Sequence, residues 1–452
     1  MTPPRALAPG SEAGEVWRIV PGPLSGRLVG SGSKSYTHRA LLAGLLGRGR
    51  MTIHHPLVSD DTAASLGVSR ALGATVHERT DGPGLSWDLD ASEALHPTRQ
   101  TRRLWAGESG TTLRLFTPAS TLPGTPVRWD GEASLARRPM DPLLRALSEL
   151  GARVRPAAPG RSLPFRIEGP LSAGTVTLPG SVSSQFLSGL LFALAGLPSP
   201  SRVRVQGPQV SQPYVEASLR VLGAFGVRIQ RGRGWYGVPG NGPFRPVPLE
   251  IPADASSAAY LFAGAALSGG TVRVGPFPVG WPQADLAVLP VLRAVGARVV
   301  RRGTDWEVSG GPLPLRPFRA DLDASPDLAP LLAVLASFGR GVSRLTGGAQ
   351  LVHKESDRRR GTEALVRSLG ARLRRSREEW AIQGPPSVRR LRRLTLSDHR
   401  LLFSAAVAAL ALPEPSTLGP GSAAAKSYPR FFQDLAGLGV AVRPTGRKGV
   451  GG

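Results

Sequence analysis

Two kinds of apolar stretch alternate along the chain. The first is apolar nearly all round and is opened by a small polar cluster. Its members are GSKSYTHRALLAGLLG, GESGTTLRLFTPA, GSVSSQFLSGLLFALA, ADASSAAYLFAGAALSGG, DASPDLAPLLAVLASFG and LSDHRLLFSAAVAAL, beginning near residues 32, 107, 180, 253, 323 and 396. Such a pattern predicts helices buried on every side. The second kind is amphipathic, as in LLRALSELGARV and LVRSLGARL, and ends in a junction of the type Leu-Gly-Ala-x-Val. Its glycines are Gly73, Gly151, Gly226, Gly296, Gly370 and Gly439, spaced 78, 75, 70, 74 and 69 residues apart. Glycine there reads as the residue that ends a helix before a strand. Period-2 runs such as TVRV and RVRV predict the strands.

The interleaved series describe six copies of one unit: strand, apolar helix, Gly-rich turn, strand, loop, amphipathic helix, strand. A period just over 70 is too long for a solenoid, whose repeats run about 20–50 residues. A length of 452 residues accommodates two domains of roughly 200, hence three units each. The change at GNGPFRPVPLEIPADA, near residue 250, is the best boundary. The expected first domain is 33–250 and the second is 13–32 plus 251–443, with EVWRIV pairing as a strand in the second half. Residues 1–12 and 444–452 are expected to be flexible tails.

Composition narrows the class. The chain is 41% hydrophobic and 19% charged, as in a soluble globular protein. No run of about 18 apolar residues lacks a charge or turn signal, so no membrane span is expected. The absence of cysteine excludes disulfides, thiolate metal sites and a cysteine nucleophile. The first 15 residues have no apolar core of a secretory signal, and a cytoplasmic enzyme fits. With 56 basic and 32 acidic residues the formal charge is +24, which favours anionic partners. Only four basic residues are lysine: Lys34, Lys354, Lys426 and Lys448. This reads as a composition bias that turned surface lysine into arginine, and it makes the exceptions informative. An ammonium can shift its pKa and move its proton; a guanidinium cannot.

Each apolar helix opens with Ser, Thr, Asp or Gly, and helix N-termini attract anions. Ser and Asp are also plain N-caps, the sufficient explanation for any one helix. Six in register, accompanied by Lys34, Asp327, Asp398 and Arg400, favour a function. If symmetry points them the same way, two domains face each other across an anion-binding cleft.

At this point a family resemblance enters. GSGSKSYTHRALL, GESGTTLR, GEASLARRP, GSVSSQFLSGLL, SQPY, DASSAAY, SPD, HKESDR, SDHR and AKSYP resemble, in order and over residues 20 to 440, the 5-enolpyruvylshikimate-3-phosphate (EPSP) synthase family. The resemblance implies an α/β fold of two similar domains, each of three βαβαββ units, forming an inside-out α/β barrel with the active site in the interdomain cleft. It implies transfer of the enolpyruvyl group of phosphoenolpyruvate to the 5-hydroxyl of shikimate 3-phosphate, with release of phosphate, in the shikimate pathway. It further implies a cytoplasmic monomer with no metal, no organic cofactor and no nucleic-acid or membrane partner.

Mapped on the family pattern, phosphoenolpyruvate meets Lys34, Gly110, Arg138, Gln185, Arg358, Arg400 and Lys426. Shikimate 3-phosphate meets Lys34, Ser35, Arg39, Ser183, Ser184, Gln185, Ser211, Tyr214, Asp327, Gln350 and Lys354. Two phosphates and two carboxylates demand such a set of cations. Asp327 is expected as the base toward the 5-hydroxyl and Glu355 as the acid toward the methylene, assisted by Lys34 and Lys354. Glu355 would need burial or hydrogen bonding to stay neutral, against nearby cations.

Plainer readings stand beside these. HKESDR alone could be a solvated helix face, Asp398 is an N-cap, and His399 and the Asp60–Asp61 pair read as structural. Glu108 stands where many members have Asn, and Gln350 where Asn or His is common. A UDP-N-acetylglucosamine enolpyruvyl transferase, usually opening with Lys-Asn and carrying a reactive cysteine, fits less well. An RNA-binding protein should show stacking aromatics, which are only 6% here.

Overall fold

The computed structural model describes residues 15–81, 84–156, 158–242, 244–376, 379–392 and 394–445. Within them lie six four-stranded sheets that share one strand order. The second sheet along the chain illustrates it. Strands Arg102–Trp105, Val127–Asp130, Arg153–Arg155 and Phe165–Glu168 lie in the spatial order first, second, fourth, third. The first pair is parallel and the other two pairs are antiparallel. A parallel pair needs a crossover, supplied by the Gly110–Ser120 helix. The amphipathic Asp141–Glu149 helix leads to the third strand, burying Leu143, Leu144, Ala146 and Leu147.

Three sheets borrow a strand from far along the chain. Leu249–Glu250 runs parallel to Arg50–His54, and Gly26–Val29 runs parallel to Thr271–Gly275. Val16–Ile19 lies antiparallel between Ser416–Gly419 and Val442–Thr445. EVWRIV therefore does pair with the second half, and Pro444 and Thr445, placed by expectation in a tail, belong to a strand. Residues 1–12 and 446–452 lie outside the described residues.

The chain divides into two compact units. Among the described residues, the first lobe is Gly32–Pro252 with Val279–Gln283; the second holds residues 15–31, Ala253–Pro278 and residues 284–445. The boundary expected at 250/251 thus falls two residues later, Gly32 goes with the first lobe, and residues 279–283 are exchanged. Trp281 explains the exchange. Its ring meets Tyr36 edge-on at 4.9 Å, and the Arg220 guanidinium lies over it at 4.8 Å. Tyr36 also donates to the Pro282 carbonyl at 2.8 Å. Each lobe has its own core, built on its apolar helices. In Ser184–Ala195 every residue but Gln185 is buried. No helix among the described residues is long and apolar enough to cross a membrane.

All six junction glycines have positive φ, between +73° and +109°, where a side chain is strained. A second series of glycines lets strands approach helix ends. A Cβ at Gly169 would overlap the Thr121 carbonyl oxygen, and one at Gly384 the Ser337 carbonyl oxygen. One at Gly242 would lie 2.6 Å from the Ala195 carbonyl.

Gly384→Ala is expected to cost about 1–3 kcal/mol through overpacking. Gly223→Ala, in an exposed helix turn with nothing within 4 Å of the new Cβ, should be neutral or stabilise by up to ~1 kcal/mol. Urea unfolding of both variants is the check; equal stability of the two would contradict the close approach.

Candidate active site

In the first lobe the predicted residues gather where the apolar helices begin. Lys34 is the first residue of the Lys34–Gly47 helix, and its Nζ lies 2.8 Å from Asp61 Oδ2. Asp61 is the second residue of the next helix, Asp60–Ala71, behind the Ser59 cap, and its carbonyl accepts from Thr112 Oγ1 at 3.2 Å. This links Lys34 to the Gly110–Ser120 helix, capped by Ser109. Thr111 on that helix accepts from Gln185 Nε2 at 2.8 Å. Gln185 follows Ser184, the first residue of its own helix, and Ser183, whose hydroxyl caps it.

Gly110 and Arg138 are also neighbours. A Cβ on Gly110 would stand 2.8 Å from Arg138 Nη1, so the missing side chain makes room for the guanidinium. Glu108 accepts from the Ser134 hydroxyl at 2.6 Å. Arg39 is buried and donates to Ser218 Oγ at 2.8 Å, to the Ser35 carbonyl at 2.7 Å and to the Tyr214 carbonyl at 2.9 Å. Burial lowers its pKa to about 10, so it stays charged at neutral pH. Ser211 precedes the Tyr214 helix in a left-handed conformation, φ 55°.

In the second lobe three cations surround one carboxylate. Asp327 Oδ1 lies 3.1 Å from Lys354 Nζ and 2.8 Å from Arg358 Nη1, and its Oδ2 lies 3.1 Å from Arg400 Nη2. Burial would raise Asp327, but Lys354, Arg400 and Arg358 overcome it and hold the carboxyl well below its ordinary range. Burial lowers the Lys354 ammonium despite the attraction of Asp327.

Arg358 is almost fully enclosed and also binds Glu355, through Nη2, and Asp398, through Nε at 3.1 Å. Burial alone would lower it; Asp398, Glu355 and Asp327 raise it instead. Asp398 caps its helix as expected, accepting from Arg400 N at 2.9 Å. Glu355 therefore faces a cation directly, and the neutral acid expected from the sequence would have to give up that pair. His399 packs edge-on against Phe403, as a structural residue does.

Lys426 is buried at the end of the Gly421–Lys426 turn of the same lobe. Gln350 is 6% exposed, and neither its amide oxygen nor its nitrogen has a hydrogen-bond partner among the described residues. Such an amide is costly unless something completes it.

Asp285 was missing from the sequence reading. It is buried, its Oδ2 accepts from Ser256 and lies 3.8 Å from Arg400 Nη1, and its Oδ1 has no partner. Nothing in WPQADLA sets it apart; only the fold brings it to Arg400. Arg114 was visible inside GESGTTLR but given no task. Four carboxylates thus face Lys354, Arg358 and Arg400.

Known proteins resemble this chain over most of its length. A sequence model of the family described as EPSP synthase (3-phosphoshikimate 1-carboxyvinyltransferase) matches residues 20–435. A protein named 3-phosphoshikimate 1-carboxyvinyltransferase from Methanocorpusculum labreanum is 37% identical over 421 residues, covering 93% of this chain and 97% of that one. One of the same name from Thermococcus kodakarensis is 38% identical over 415 residues, covering 91% and 97%. Among solved structures, EPSP synthase from Acinetobacter baumannii superposes with a TM-score of 0.76 at 23% identity, covering 96% of this chain and all of that one. The enolpyruvyl transferase NikO from Streptomyces tendae gives 0.76 at 21%, covering 96% and 99%. At these identities the structures speak for the fold alone.

The buried acid gives a pH prediction. Burial pushes Asp285 up to about 6, with Asp327 adding and Arg400 opposing. An acid raised in the folded state binds more protons there than in the unfolded chain, so its contribution to stability falls as pH rises from about 4 to 6. Asp285→Asn should therefore gain in melting temperature relative to the unsubstituted chain across that window, then hold the gain to pH 8. A difference that does not change with pH would contradict the assignment.

Proposed function

The chain belongs to the EPSP synthase family, and from that premise we propose how its residues carry the reaction. It transfers the enolpyruvyl group of phosphoenolpyruvate to the 5-hydroxyl of shikimate 3-phosphate and releases phosphate. The observation that supports the residue assignment best is the ring of Lys354, Arg358 and Arg400 around Asp327. A reaction between two dianionic or trianionic ligands needs concentrated cations, and it needs a carboxylate among them that can take a proton.

Phosphoenolpyruvate is assigned to Lys34, Gly110, Arg138, Gln185, Arg358, Arg400 and Lys426. Shikimate 3-phosphate is assigned to Lys34, Ser35, Arg39, Ser183, Ser184, Gln185, Ser211, Tyr214, Asp327, Gln350 and Lys354. For Arg39 the support is indirect: its donors hold the Ser35 and Tyr214 backbones and the Ser218 hydroxyl. For Gln350 it is direct, because a buried amide without partners is ready to bond a hydroxyl or an anion.

In the forward direction the 5-hydroxyl oxygen attacks C2 of phosphoenolpyruvate while its proton passes to Asp327. The methylene carbon takes a proton from the side of Glu355, which gives the tetrahedral intermediate. The C2–phosphate oxygen bond then breaks, phosphate leaves with the electron pair, and the methyl group returns a proton to Glu355. Paired with three cations, Asp327 is a poor base. Ligand phosphate and carboxylate compete for Lys354, Arg358 and Arg400, so substrate arrival raises its proton affinity at the moment it is needed. The same competition loosens Arg358 from Glu355. One chain carries every assigned residue, so a monomer suffices, and we place it in the cytoplasm with its metabolite substrates.

Phosphate release from phosphoenolpyruvate is expected with shikimate 3-phosphate as acceptor and not with UDP-N-acetylglucosamine. Release with the second acceptor only, or with neither from folded protein, would overturn the reading. Glu355→Gln should lower kcat on the order of 10²–10⁴-fold, with both KM values moving less than about tenfold. Near-normal turnover would remove Glu355 from proton transfer.

A further inference from the structure

Arg114 is buried, it lies in none of the assigned contacts, and its guanidinium touches two elements that carry assigned residues. Its Nη1 donates to Gln185 Oε1 at 3.0 Å and its Nη2 to the Pro139 carbonyl at 3.1 Å. The guanidinium carbon stands 5.2 Å from the centre of the Phe186 ring, a cation–π contact. Only 6% of the residue is exposed.

These contacts settle which way the Gln185 amide points. The two ends of a glutamine amide have nearly the same shape, so an unconstrained amide turns over easily. A guanidinium has donors only and therefore accepts nothing but the oxygen end. At the other end Nε2 donates one hydrogen to Thr111 Oγ1 at 2.8 Å. The remaining hydrogen of Nε2 is then the donor left over for a ligand. A phosphate or carboxylate can only accept, so the reverse orientation would set oxygen against oxygen.

We propose that Arg114 is a positioning residue for phosphoenolpyruvate. It holds the Gln185 amide with its N–H toward the substrate anion, and it is itself anchored by the Pro139 carbonyl and the Phe186 ring. The proposal rests on the reading above that Gln185 contacts phosphoenolpyruvate.

The test is a double-substitution cycle in the full-length enzyme, with steady-state kinetics in both substrates and a melting temperature for each variant. Arg114→Met should raise KM for phosphoenolpyruvate about tenfold, the value of one hydrogen bond of ~1.4 kcal/mol, and change kcat less than about threefold. In a Gln185→Ala background the same substitution should add less than about threefold. A full tenfold increase in that background would overturn the proposal, because Arg114 would then act by another route.

Gln185→Glu covers the case in which Arg114→Met does not fold. It offers Arg114 an oxygen and a charge but removes the outward N–H. It should melt no lower than the unsubstituted chain, yet raise the phosphoenolpyruvate KM at least tenfold; an unchanged KM would overturn the proposal. An unchanged KM in Gln185→Ala would overturn the underlying contact as well, which separates the two failures. Arg114→Lys, with one donor in reach, should restore part of the lost affinity relative to Arg114→Met, and no restoration would count against a donor's role.

Discussion

Burying Arg358 and Arg400, with Lys354 partly enclosed, beside a set of carboxylates is the constraint on which the rest of the second lobe depends. An isolated buried charge costs several kcal/mol, and the cost is offset only when every charge has a partner in good geometry. Lys354, Arg358 and Arg400 satisfy this through Asp327, Glu355 and Asp398. The cluster is therefore stable without ligand, and for the same reason it is poised. On the proposed function an incoming anion would replace a protein carboxylate around a cation rather than fill an empty charge, and the carboxylate so released would be the one that takes up a proton. Binding and base activation are on this account the same electrostatic event.

The repeat supplies the geometry that such an event requires. Each βαβαββ unit buries one apolar helix and presents that helix's first turn, where free amides and small polar side chains lie. Ser109, Ser183 and Asp398 spend their side chains on capping. The residues just beyond them, Gly110, Gln185 and Arg400, are thereby fixed to within a turn of a rigid helix. The excess positive charge lies elsewhere. Arg153, Arg155, Arg202, Arg204, Arg372 and Arg374 are exposed at alternate strand positions, as expected where surface lysine has been replaced by arginine. The second lobe's cation cluster, by contrast, is close to balance.

Much of this was legible in the sequence because it is local. The six junction glycines could be read from their place between an amphipathic helix and a strand, and each has the positive φ that reading implies. Asp398 as a cap and EVWRIV as a strand followed from pattern alone. What escaped depends on contacts between distant parts of the chain. Asp285 matters only because Arg400 is brought to it, and Gly384 only because the Ser337 carbonyl is. Residues 279–283 join the first lobe through Trp281 and Tyr36, a pairing that no local period announces. The sequence also showed which groups were charged but not that Arg358 would be shared among three carboxylates.

Equilibrium binding of phosphoenolpyruvate to Asp327→Asn, followed by calorimetry on the full-length chain, tests the central claim most directly. If Asp327 competes with the ligand for Lys354, Arg358 and Arg400, the variant should bind at least as tightly as the unsubstituted protein, although its turnover falls on the order of 10²-fold or more. Affinity reduced tenfold or more in a folded variant would show that Asp327 supports the anion rather than standing in for it, and would contradict the account.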